Sequence, residues 1–164
     1  MELVVQADGT LRAGARRYRC ALGRSGIRAL KREGDGATPA GLFPIRRALY
    51  RPDRLARPET GLALDAVTEH DGWCDDPADT NYNCQVRLPY GASAEALWRE
   101  DGRYDAIVVI GYNDDPPRAN LGSAIFLHVA GPDYPPTEGC IALALPDLLA
   151  VLTRLDPSSS IRIG

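Results

Sequence analysis

Breaks in the chain constrain this sequence more than any other feature. Sixteen glycines and thirteen prolines are spread over 164 residues, and they recur between short apolar runs, so few windows can hold a long helix. The pattern predicts short elements joined by ordered loops. Residues 2–6 and 18–22 read as a hairpin or meander. Residues 42–45 read as a strand whose Pro44 belongs at an edge or a bulge, because proline has no N–H for the ladder. Residues 105–110 contain Ala-Ile-Val-Val-Ile, the apolar run of a strand buried on both faces. Residues 123–130 read as another strand, with Ile125, Leu127 and Val129 on one face and Ala124, Phe126 and His128 on the other. Residues 141–145 and 161–163 add two more. Ser93 can cap a helix running to residue 100, with Ala94, Leu97 and Trp98 on one face. Pro146 and Asp147 suit the first turn of a helix running to about residue 155. Residues 51–61 and 70–85 are long loops, which in a compact domain tend to be functional. The expected fold class is mainly β, a β-rich α+β domain with one or two peripheral helices, and residues 1–164 form one domain without repeats.

Charge and cysteine usage exclude several function classes. The net charge is −3, so no general basic field is present to hold a nucleic-acid backbone. The basic residues between Arg12 and Arg32 read as a solvated face. No run approaches the ~20 apolar residues that cross a membrane as a helix. Residues 1–10 read as a strand and a turn, without the charged start and apolar stretch of an export signal. Cys20, Cys74, Cys84 and Cys140 show no C-x-x-C spacing, and His70 and His128 are the only histidines. No metal site is therefore expected. Cys74 and Cys84 flank an Asp-rich loop and stand open as either a disulfide or two free thiols. His70, in Glu69-His70-Asp71, reads as a surface residue.

The informative stretch is Ile125-Phe126-Leu127-His128-Val129-Ala130, followed by Thr137-Glu138-Gly139-Cys140-Ile141. A thiol becomes a useful nucleophile when an imidazole takes its proton. His128 ends a buried strand, and Cys140 begins the next after a turn rich in glycine and proline. Gly139 gives the backbone the freedom for a tight turn before the thiol. Successive N–H groups there could hold a developing oxyanion, worth roughly 3–4 kcal/mol per donor. A buried cysteine and a satisfied core histidine are the bland alternative.

These residues resemble the YkuD-type L,D-transpeptidase domain, whose motif runs from a His across a gap to Ser/Thr-His-Gly-Cys. The matching positions are His128, Thr137, Gly139, Cys140 and Ile141. The stretch Gly34-Asp35-Gly36-Ala37-Thr38-Pro39-Ala40-Gly41-Leu42-Phe43 is similar to the family's Gly-Asp-x-x-Thr-Pro-x-Gly-x-Phe segment. Residues 110–113 and 122–128 resemble a divergent branch, and the likeness spans about residues 34–155. Three departures stand out. Glu138 replaces the usual His, Ala142 replaces the Arg or Asn two residues after the cysteine, and Cys140 follows His128 by only 12 positions.

The resemblance implies a β-sandwich or partly open barrel and a two-step acyl transfer on peptidoglycan stem peptides that needs no metal or cofactor. Cys140 is then the nucleophile and His128 the base, with the Val129 carbonyl fixing its tautomer. The N–H groups of Gly139 and Cys140 form the oxyanion hole. Tyr112, Asn113, Thr137 and Glu138 border the substrate, with Tyr112 standing equally as a residue that caps the core edge, and Trp73 with the Asp75-Asp76 loop forms a lid. Asp75, Asp76, Asp114 and Asp115 stand either as attractors of an amine acceptor or as solvated turn residues. The implied work site is the periplasm and the implied state a monomer. A carboxypeptidase or endopeptidase would use the same residues, with water resolving the thioester. A non-catalytic peptidoglycan-binding module is the reading from another class.

Overall fold

The computed structural model describes all 164 residues, and strands dominate it. Three strands, β1 (Glu2–Gln6), β2 (Thr10–Ala13) and β3 (Arg16–Arg19), form the antiparallel meander at the start. The short strands β4 (Ile27–Arg28) and β5 (Thr38–Pro39) pair in parallel on either side of a loop. β6 (Gly41–Tyr50) is the longest strand, and β7 (Leu64–Ala66) pairs with its far end. β8 (Asp71–Cys74), β9 (Gln85–Arg87) and β10 (Ala94–Ala96) make a separate small sheet with β8 in the middle. β11 (Ala106–Ile110), β12 (Phe126–Val129), β13 (Ile141–Leu143), helix α1 (Leu145–Leu152) and β14 (Ser160–Ile163) complete the chain.

The main sheet runs β13-β12-β11-β6-β14-β1-β2-β3, with β7 beside β6. Its two ends then meet. Just beyond β3, Ala21 exchanges two backbone hydrogen bonds with Ala142 of β13, at 2.8 and 3.0 Å. The sheet is thus a nearly closed barrel, which leaves few free edges to be guarded.

Alternation along the strands builds two cores. Ala106, Val108 and Ile110 of β11 and Leu127 of β12 face the barrel interior. There they meet Leu148, Val151 and Leu152 of α1, which plugs the barrel. Ile107, Val109 and Phe126 face outward, against Trp73, Leu97 and Tyr104 around the small sheet. A strand buried on both faces needs the uninterrupted apolar run seen at residues 106–110.

Four expectations change. Residues 93–100 do not form a helix: Ala94–Ala96 pair with β8, Glu95 opposite Trp73. One or two turns of isolated helix are marginal, and the β8 edge offers backbone partners instead. The 70–85 loop contains β8 and reaches β9, so its start is sheet. β12 begins only at Phe126, because Ala124 has φ +53° and gives its N–H to the Asn83 side chain. Pro44 lies in an interior strand, yet next to a bulge: Val109 pairs with Arg47 and Ile110 with Ile45, so Arg46 has no partner on β11.

Candidate active site

The parallel pairing of β12 with β13 sets the site. Leu127 lies beside Ile141 and His128 beside Ala142, so Cys140 comes level with Phe126. The Phe126 N–H donates to Cys140 Sγ at 3.4 Å, and the thiol donates to the Ala124 carbonyl at 3.1 Å. His128 is two residues beyond Phe126 and therefore on the same outward face. His128 and Cys140 both line one cleft of about 420 Å³. Each is over nine-tenths buried. His128 Nδ1 lies 2.9 Å from the Val129 carbonyl oxygen, an arrangement that makes Nδ1 the protonated nitrogen and leaves Nε2 as the acceptor.

The turn before the thiol is held from two sides. Thr137 Oγ1 donates to the Cys140 carbonyl at 2.6 Å and accepts from the Gly139 N–H at 3.1 Å. Gly139 has φ +140°, and a Cβ there would stand 2.7 Å from the Ala37 carbonyl oxygen. Only glycine fits both the angle and the approach. The Gly139 N–H is thus held by Thr137 in this structure. The Cys140 N–H has no intramolecular partner and stays available.

The 34–41 segment forms the wall behind this turn. Asp35 accepts from the N–H groups of Arg32 and Ala37 and from the Lys31 ammonium, at 2.7–2.9 Å. Burial opposes the Asp35 charge, but these donors outweigh it and hold the carboxyl at about 2. The Lys31 side chain is almost fully buried. Its Nζ comes within 3.4 Å of where a Gly139 Cβ would sit. A cation therefore stands against the turn although position 142 is alanine.

Burial governs the protonation of the pair. It lowers His128 from 6.5 to about 4, with the Val129 carbonyl opposing and Arg99 and Arg103 adding to the drop. It raises the Cys140 thiol to about 12, with the charge of Glu95 the next cause. Both shifts favour the neutral forms near pH 7.

Charges of both signs line the rest of the cleft: Lys31, Arg99 and Arg103 against Glu33, Asp75 and Glu95. Tyr104 stands edge-on to His128 at 5.3 Å between ring centroids. Sequence reading missed Lys31, Glu33, Glu95, Arg99, Arg103 and Tyr104. The helical reading of residues 93–100 hid Glu95, which strand alternation sets on the opposite face from Ala94 and Ala96. The others carry no motif and come together only through folding.

Thr137 and Glu138 border the cleft. Glu138 is exposed and pairs with Arg24 at 3.2 Å. Three expected substrate residues lie outside the cleft lining. Trp73 is buried under the small sheet, 5.0 Å from the Phe126 ring, and is no lid. Tyr112 packs edge-on against Phe43, and its hydroxyl donates to the Leu121 carbonyl. Asn113 closes the 113–122 loop, bonding to Arg118 and Gly122. Of the four loop aspartates, Asp75 alone reaches the cleft. Asp76 caps its own turn at Ala78, and Asp114 is held by Arg46 in a two-bonded pair. Cys74 and Cys84 are free thiols joined across a turn by a backbone hydrogen bond.

An imidazole on β12 and a thiol directly before β13, lining one cleft of a nearly closed barrel, mark a β-barrel domain with a candidate cysteine–histidine site. The chain belongs to the L,D-transpeptidase catalytic domain (YkuD) family, whose model matches residues 2–163. Members of this family are typically cysteine acyltransferases acting on peptidoglycan peptides. No curated protein and no solved structure matches the chain.

Proposed function

We propose that this protein is a peptidoglycan L,D-transpeptidase with Cys140 as its nucleophile. The observation that carries the reading is the placement of Cys140 and His128 in one cleft of a YkuD domain, with Cys140 directly before the strand that pairs with that of His128. His128 Nε2 takes the thiol proton as sulfur attacks the carbonyl of an L-residue that precedes a D-residue. The Cys140 N–H is the backbone donor for the oxyanion. His128 then gives the proton to the departing amine, leaving a thioester on Cys140. The amine of a neighbouring diaminopimelate resolves the thioester and forms a 3,3 or 1,3 crosslink. The mixed-charge cleft suits a peptide that carries both carboxylates and ammonium groups. The polymer lies in the envelope, so the reading assigns the protein to the periplasm.

Disaccharide-tetrapeptide monomers incubated with the protein, with Cys140→Ala as control, test this by tandem mass spectrometry. Dimers lost in the variant are expected, and fragmentation identifies the donor position. Shortened monomers without dimers would make the protein a hydrolase. Inert wild type across several stem lengths would leave a peptidoglycan-binding module.

A further inference from the structure

Aminolysis of a thioester needs a neutral amine, yet the acceptor arrives as an ammonium. Two protons must therefore leave it, and His128 can take only one while also reprotonating the thiol. Four carboxylates line the cleft. Glu33 is already held by two donors, the Tyr82 hydroxyl at 2.6 Å and the Ser123 hydroxyl at 3.0 and 3.1 Å. Glu138 is exposed and paired with Arg24. Asp75 accepts from the Ser93 hydroxyl at 2.6 Å. Glu95, like Asp75, accepts one hydrogen bond, but from the Tyr104 hydroxyl, and of the four it alone is tied to the ring that borders His128. Arg99 approaches Glu95 only to 3.8 Å, because its guanidinium is committed to Asp101. Glu95 therefore keeps unused lone pairs in the cleft.

We propose that Glu95 is the acceptor site: its carboxylate binds the incoming ammonium and removes the first proton before attack. The proposal rests on the transpeptidase reading. The ammonium gives one proton to Glu95 and becomes an amine. The amine nitrogen bonds to the thioester carbon, its second proton passes to His128, and the carbon–sulfur bond breaks. The leaving thiolate takes that proton from His128, and Glu95 returns its own to solvent. Two further observations agree. Among charged groups, Glu95 acts most strongly on the Cys140 thiol. Its own carboxyl is raised by burial, against the Tyr104 hydrogen bond and Arg99, with Asp75 and Glu33 adding to the rise. A carboxylate of raised pKa is the better base for an ammonium.

The test separates the two half-reactions in the full chain. Intact-protein mass spectrometry follows the donor adduct on Cys140, and product analysis gives its partition between an amine acceptor and water. For Glu95→Gln, the adduct still forms, while partition to the amine falls at least tenfold and hydrolysis continues; Glu95→Asp recovers part of the transfer. Wild-type partition in Glu95→Gln would overturn the proposal, as would a folded Glu95→Gln that forms no adduct. Should Glu95→Gln not fold, Tyr104→Phe removes the hydroxyl that aims the carboxylate and keeps the ring. Its partition must fall too, and an unchanged value would overturn the proposal. A wild type that never forms the adduct would remove the transpeptidase reading and this inference with it.

Discussion

His128 is the residue whose environment has the clearest solution signature. Its folded pKa of about 4 lies below the unfolded value of 6.5, so the unfolded chain binds more protons between those values. Stability is therefore undiminished above pH 6.5 and is lost as pH falls towards 4. The full shift corresponds to about 3 kcal/mol. Glu95 runs the other way, since a raised carboxyl favours the folded state at low pH, so wild type alone does not isolate the histidine. Urea unfolding of wild type and His128→Asn at several pH values does. The variant should lack the loss between pH 6.5 and 4, and an identical pH slope in both proteins would contradict a buried neutral imidazole.

The element that most depends on one side chain is the small sheet over the outer core. Asn83 has φ +58° and is almost fully buried. Its Oδ1 accepts from Trp73 Nε1 at 2.9 Å and from the Ala124 N–H at 3.0 Å. Its Nδ2 donates to the carbonyls of Tyr112 and Asn113 at 3.0 and 2.7 Å. One amide thus ties the small sheet to the segment that leads into β12 and so to the carbonyl that receives the Cys140 thiol. Asn83→Ala would leave an indole N–H and a backbone N–H buried without partners, at about 1–3 kcal/mol each. Thermal unfolding should show a loss of at least about 2 kcal/mol, together with reduced acylation of Cys140. A variant as stable as wild type would show that these donors find other partners. The same element shows why residues 93–100 read as a helix: Ala94, Leu97 and Trp98 fit the helical period, and nothing local shows the β8 edge that Ala94–Ala96 pair with.

At the scale of the whole molecule, barrel closure and the active site share one strand. β13 follows Cys140 directly, holds β12 on one side and receives Ala21 on the other. Ala21→Pro removes the N–H that donates to the Ala142 carbonyl and opens this seam. The expected cost is about 1–3 kcal/mol, that of a buried carbonyl left without its partner, and hydrogen exchange should rise first in β13. Exchange that rises only at distant β9 would show that the seam does not hold the strand. Local alternation was enough to read much of this architecture. The meander start, the doubly buried β11 and the two faces of β12 follow from where apolar residues fall along the chain, because the strand period is a property of neighbouring residues, and α1 follows from Pro146 and Asp147 at its first turn.

The sequence by itself determined the class of the molecule: a mainly β domain, a glycine that must precede Cys140, and a cysteine–histidine pair separated by one turn. These are local matters of backbone freedom, period and spacing. Tertiary structure alone decided the surroundings that tune the chemistry. Lys31, Glu95 and Tyr104 meet Cys140 and His128 from distant segments, and Trp73, Tyr112 and Asn113 prove to be supports beside the cleft. Burial, which sets the resting protonation of the pair, belongs to the assembled fold, since desolvation depends on what all the other segments place around a group.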